Sequence, residues 1–127
     1  MSNPPRPTDA ELEILSVLWS RGPSTVRDVH AAINKRKPAQ YSTVLKFLQI
    51  MAEKGLVRRD EEQRAHVYQA ARPREWTQRQ LAGDLLQRGF NGSAKSLMMG
   101  ALSARKASKE ELAEMRRLLD EYEKREK

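Results

Sequence analysis

The chain has no cysteine. Disulfides, thiol redox chemistry and cysteine-ligated zinc or copper are therefore excluded. Histidine is scarce too: His30 and His66 stand alone, too few to frame a first-row metal site without several carboxylates. No apolar run approaches the roughly 20 residues that a membrane-spanning helix needs. The opening Met1 to Pro7 lacks the apolar stretch of a secretory signal. The expectation is a cytoplasmic protein with no membrane insertion, no metal and no cofactor. A Ser/His/Asp grouping at meaningful spacing and a glycine-rich phosphate loop are also missing, so the sequence does not read as an enzyme.

Charge is what the sequence has in quantity. Asp, Glu, Lys and Arg make up 32% of 127 residues, with 24 basic against 17 acidic and a formal net charge of +7. That sign suits a polyanionic partner. The surplus is spread along the chain: 12 basic and 8 acidic residues over 1–72, and 12 and 9 over 73–127. With no basic tail, a binding surface has to be assembled by folding. Hydrophobic residues, at 39%, suffice for one core, and the length fits one domain with an appendage.

Along the chain, residues 1–7 hold three prolines without periodicity and read as a disordered lead-in. Thr8-Asp9-Ala10-Glu11 has the form of a capping box. Leu12, Leu15, Leu18 and Trp19 follow at helical spacing, widened by Ile14 and Val17, which predicts a first helix over about 9–20. Gly22-Pro23 stops it. Thr25-Val26-Arg27-Asp28 is a second capping box, opening a helix with Val26, Val29, Ala32 and Ile33 inward and ending near Pro38. A third helix starts around Gln40 to Ser42 and ends before Gly55, with Val44, Phe47, Leu48 and Met51 as its inner stripe. The period then shortens. Leu56 to Asp60 and Ala65 to Ala70 read as two strands around a polar turn, with Ser24-Thr25 as a third segment pairing with them.

Three helices followed by a two-stranded hairpin is the winged helix-turn-helix plan, in which the third helix enters the major groove. The residue types fit. Gln40, Tyr41, Ser42, Thr43, Lys46 and Gln49 lie on the leading turns and free face of the third helix. Hydroxyls and helix-start amides suit phosphate oxygens, while Lys46 and Gln49 match guanine and adenine edges. Arg64 at the wing tip, with Arg58 and Arg59 on its first strand, can reach phosphate or the minor groove. The acidic run Asp60-Glu61-Glu62 repels phosphate and is expected to point away from a docked duplex.

After Pro73 the helical pattern returns. Segments over about 75–90 and 93–102 are separated by Asn91-Gly92, and a last helix opens at Ser108-Lys109-Glu110-Glu111. Leu112, Met115, Leu119 and Tyr122 step by 3, 4 and 3, the spacing of a coiled-coil seam. With Trp76, Leu81, Leu85, Leu97 and Met98 they form a large apolar inventory for three short helices, and a second copy of the chain is the economical way to bury it. The fold class is thus mainly α with a small β-wing. A DNA-binding winged-helix head spans 8–72, and a helical dimerisation arm spans 73–127. Two other readings of this plan stay open: a winged-helix protein-interaction module, and a regulator that answers to a small molecule.

The residues also resemble the penicillinase repressor and methicillin-resistance repressor family, of BlaI/MecI type. The resemblance is carried by Thr8 to Leu15 with Leu18-Trp19, by Ser24 to Val29, and most tightly by Tyr41-Ser42-Thr43-Val44-Leu45-Lys46-Phe47-Leu48 leading into Glu53-Lys54-Gly55-Leu56-Val57. Gln63 to Tyr68 is similar to the family's wing, and Gly92-Ser93, Lys95 to Leu97 and Ser108 to Leu112 to its dimerisation helices. The resemblance implies a homodimeric transcriptional repressor on a dyad operator. It further implies derepression by cleavage of the arm, triggered by a membrane-bound metalloprotease sensor. Well-known members are cut at an Asn-Phe bond; the aligned pair here is Gly100-Ala101, a departure in the cleavage region. Copper-responsive relatives carry a C-terminal cysteine cluster, which this chain lacks.

Overall fold

The computed structural model describes residues 6–62 and 64–126; most of the expected lead-in, residues 1–5, lies outside them. The elements run α1 (Asp9–Arg21), β1 (Ser24–Thr25), α2 (Val26–Asn34), α3 (Tyr41–Lys54), β2 (Val57–Asp60), β3 (Val67–Ala70), α4 (Arg74–Gly89), α5 (Ala94–Ala104) and α6 (Lys109–Arg125). They form two compact units, one up to Ala82 and one from Gly83 onward, with the division inside α4. None of the described helices is long and apolar enough to cross a membrane.

Local chemistry starts and stops the helices. The Thr8 hydroxyl accepts the Glu11 N–H, and the Glu11 carboxylate accepts the Thr8 N–H. Thr25 and Asp28 make the same reciprocal pair at the start of α2. Each box satisfies two of the amides that a helix start leaves open. At α6 the Ser108 hydroxyl accepts the Glu111 N–H, and at α5 Ser93 does the same for Ser96. Gly55 ends α3 in the left-handed region at φ 81°, where a side chain is disfavoured.

The core belongs to the first unit. Ile14, Leu15 and Leu18 of α1, Val26, Val29 and Ile33 of α2, and Val44, Leu48 and Met51 of α3 are buried with Val57 and Tyr68 of the wing. Phe47, read as part of the inner stripe, is only half-buried and packs at the edge of this cluster. The sheet has the order β1-β3-β2, all antiparallel, with Ser24 opposite Tyr68 and Arg59 opposite the same tyrosine on the other side. The two-residue strand at Ser24-Thr25 therefore ties the wing to the start of α2. The return strand is shorter than its composition suggests: Ala65 and His66 stay in the turn, and pairing begins at Val67.

One buried charge joins distant elements. Glu11 is 1% exposed, and Lys54 at the end of α3 reaches both of its carboxylate oxygens at 2.9 Å. A carboxylate at that depth without partners would cost several kcal/mol. Burial pushes its pKa up, but the bonds from Thr8 and Lys54 outweigh this and hold it below the ordinary value.

The first turns of α4 stay with this unit. The Trp19 indole N–H donates to the Arg72 carbonyl at 2.9 Å. The Arg74 guanidinium lies over the Trp19 ring and donates to the Ser20 hydroxyl, while Arg72 lies 4.7 Å above Trp76. From Gly83 onward, by contrast, no described residue is buried. Leu118, Leu119 and Tyr122 are each more than half exposed. The turn between α4 and α5 uses Asn91 and Gly92, both at positive φ.

Candidate nucleic-acid interface

The outer surface of α3 follows from its inner one. With Val44, Leu48 and Met51 turned into the core, the 3.6-residue period leaves Ser42, Lys46, Gln49 and Glu53 on the opposite side, and all four are exposed. Among the described residues Lys46 makes no ion pair. Gln40 precedes the helix in extended conformation, and its carbonyl accepts from Thr43 and Val44. Tyr41 is half exposed, and its ring meets the edge of His30 on α2 with centroids 5.7 Å apart. The His30 ring is in turn held against the Ala39 carbonyl at 2.7 Å.

Two concavities flank that surface. One, of about 640 Å³, lies between the start of α2, one side of α3 and the wing. It brings Tyr41 and Gln49 together with Arg59 and Arg64, and adds Arg27 and His66. The other, of about 550 Å³, is lined by Ser42, Thr43, Lys46, Phe47 and Ile50.

The wing arginines part company. Successive strand residues point to opposite faces of a sheet. Arg59, opposite the buried Tyr68, lines the groove, whereas Arg58, opposite the exposed Gln69, is on the other face. Arg59 is held by the Tyr68 hydroxyl and by Glu61, and both raise its pKa. The acidic run is largely engaged locally, since Glu61 pairs with Arg59 and Asp60 accepts the Glu62 N–H. Asp28 is the acid in the groove. The Thr25 amide and hydroxyl hold its pKa down, with Arg21 and Arg27 contributing.

Arg27 is what the sequence reading passes over at this site, while Arg59 is named there beside Arg58 without the two being told apart. The second capping box was the available signal for Arg27, because it places that residue on the first turn of α2, the positive helix end. What separates Arg59 from Arg58 is strand parity, because Arg59 lies two residues from the buried Val57 and shares its face.

The residues grouped as an apolar arm divide between the units. Trp76 lines a small cavity with Leu15, Leu56 and Thr77 in the first, and Leu81 also precedes the division. Leu85, Leu97, Met98, Leu112, Met115, Leu119 and Tyr122 fall in the second. Gly100 and Ala101 lie inside α5, where a Cβ on Gly100 would sit 3.4 Å from the Phe90 ring.

Three helices, a three-stranded antiparallel wing and an open polar face on the third helix define a winged-helix protein. More narrowly, the chain belongs to the penicillinase repressor family, whose pattern its residues 7–121 match. It is 44% identical over 61 residues to the transcriptional regulator BlaI of Mycobacterium tuberculosis, in two strains, a match covering 47% of this chain and 44% of the relative. The chain thus spans less than half the length of those curated relatives. It is 26% identical over 127 residues to the penicillinase repressor of Bacillus licheniformis, covering 100% of this chain and 99% of the relative.

Two solution structures share the fold. The DNA-binding domain of the repressor BlaI superposes with a TM-score of 0.51 at 26% identity, over 58% of this chain and 90% of that one. The Bacillus licheniformis BlaI monomeric form in complex with the blaP half-operator does so at 0.51 and 25%, over 59% and 92%.

Proposed function

We propose that this chain is a transcriptional repressor that acts by occupying operator DNA, with α3 in the major groove. The observation that carries the proposal is the solvent-open face of α3, with Lys46 making no ion pair among the described residues, bordered by a groove into which α2 and the wing bring Arg27, Arg59 and Arg64. A relative of the same fold has been seen on a half-operator, and the formal charge of +7 favours a polyanion. In this reading Ser42, Thr43 and the start of α3 at Gln40 and Tyr41 position the protein on phosphates, while Lys46 and Gln49 address base edges. Arg64 and Arg27 take the flanking backbone. Arg58, on the far side of the wing, makes no phosphate contact in this reading.

The arm is proposed to form a homodimer. Leu85, Leu97, Met98, Leu112, Met115, Leu119 and Tyr122 belong to a unit with no buried described residue. Exposed apolar surface of that kind marks an interaction site, and a two-fold pair matches a dyad operator. Derepression by a membrane-bound metalloprotease sensor in the same cytoplasmic compartment is the family-based extension. A cut at Gly100-Ala101 would require α5 to open first, since the bond lies within the helix.

The test is a gel shift with the DNA upstream of the protein's own gene, at rising salt. Binding should weaken with a slope of about −0.9 per phosphate neutralised. Lys46→Ala should lower affinity by about ten- to a hundredfold with the circular dichroism spectrum unchanged. Undiminished binding by a Lys46→Ala, Arg64→Ala double variant would remove the site assignment.

A further inference from the structure

We propose that the flank of α3 built from Thr43, Phe47 and Ile50 reads thymine, through the 5-methyl groups displayed in the major groove. The inference rests on the repressor reading above and adds a specificity element to it.

The flank is out of place as a phosphate-binding surface. Val44, Leu48 and Met51 already close the core on the inner side of α3. Phe47 and Ile50 nevertheless stay half-buried and line the 550 Å³ concavity together with Ser42, Thr43 and Lys46. Carbon is therefore displayed beside two hydroxyls and an ammonium, continuous with the face that meets the duplex. Phosphate oxygens gain nothing from an aromatic ring and a branched alkyl chain. In the major groove the base edges carry hydrogen-bonding atoms throughout, and the one apolar group among them is the thymine methyl.

The spacing suits it. Positions 43, 47 and 50 follow the i, i+4, i+7 line of a single helix side. They extend over roughly 10 Å at 1.5 Å per residue, which is about three base pairs at 3.4 Å each. The thymines concerned should fall within about three consecutive base pairs of each half-site. Lys46, on the same rim, addresses a neighbouring polar edge.

Uracil provides the test, because deoxyuridine removes the methyl and leaves every hydrogen-bonding atom in place. A duplex is first selected by the full-length protein from a random-sequence pool. Each thymine of the selected site is then replaced singly by deoxyuridine, and affinity is measured at fixed salt. The expected result is a loss of about fourfold per buried methyl, confined to one to three adjacent thymines. That penalty should shrink in Ile50→Ala and in Phe47→Leu, the second chosen because it keeps an apolar side chain at the edge of the core.

Tight, salt-sensitive binding that ignores every uracil substitution would overturn the thymine assignment and leave the repressor reading standing. It is also the outcome expected if a second copy of the chain covers this flank. A penalty that persists in full in both variants would likewise overturn it, by moving the methyl contact to other residues. Failure to select any duplex would overturn both readings together.

Discussion

At the residue scale, the Glu11–Lys54 pair determines how the winged-helix unit responds to acid. The Glu11 pKa is lowered in the folded protein despite burial, through Thr8 and Lys54. A depressed carboxyl contributes stability that is fully present above its unfolded value, ordinarily 4.5, and is lost as pH falls through the folded value. Thermal melts of the wild type should therefore drop more steeply below about pH 4.5 than those of Glu11→Gln, a variant that is itself less stable at pH 7. Parallel acid limbs for the two proteins would contradict this. The arginines of the wing give a second test. Arg59→Ala should weaken operator binding and flatten its salt slope by about one, whereas Arg58→Ala should leave the slope unchanged. A reversal of the two would mean that the far face of the sheet meets the duplex.

Elements show what a sequence reveals and what it hides. Helix starts were legible because Thr8 with Glu11, and Thr25 with Asp28, carry their partners three residues away, so the bond is written locally. The brief strand at Ser24-Thr25 was legible for a different reason: a two-stranded wing needs a third edge, and few segments are free to supply it. Strand parity was not legible at Arg58 and Arg59. A shift of one residue exchanges the two faces, and Val57 is the single buried residue of β2. Phe47, expected on the inner stripe, does pack against the core but only partly buried, because apolar character alone does not separate the centre of a core from its rim.

The end of α3 offers an element-scale prediction. Nothing lies within 4 Å of a Cβ added at Gly55, yet its φ is +81°. Gly55→Ala should therefore cost about 1–2 kcal/mol through backbone strain alone, read as a shift in the urea midpoint. Gly55→Asn should cost less, since asparagine tolerates that conformation. Equal, negligible effects would show that the helix ends some other way.

For the whole molecule, the contrast between the units is the informative fact: one has a closed core, while the other has no buried residue among those described. Leu112→Asp with Leu119→Asp should give a monomer by sedimentation while the cooperative melt of the winged-helix unit persists. A fully dimeric product would place the contact elsewhere. That the last segment is helical was readable from the apolar spacing of 112, 115, 119 and 122. The position of Trp76 was not, because its ring is fixed by Arg72 and by a cavity lined with residues from α1 and the end of α3, neighbours that no local pattern records.

The most direct measurement is protection footprinting of the upstream DNA by the full-length protein, repeated with Lys46→Ala. If a pair of molecules presents two α3 faces to one duplex, protection should appear as two symmetry-related patches on one side of the helix, whole turns of about 10 base pairs apart, and should fade with the variant. A single unsymmetrical patch, or protection that Lys46→Ala leaves intact, would contradict that account.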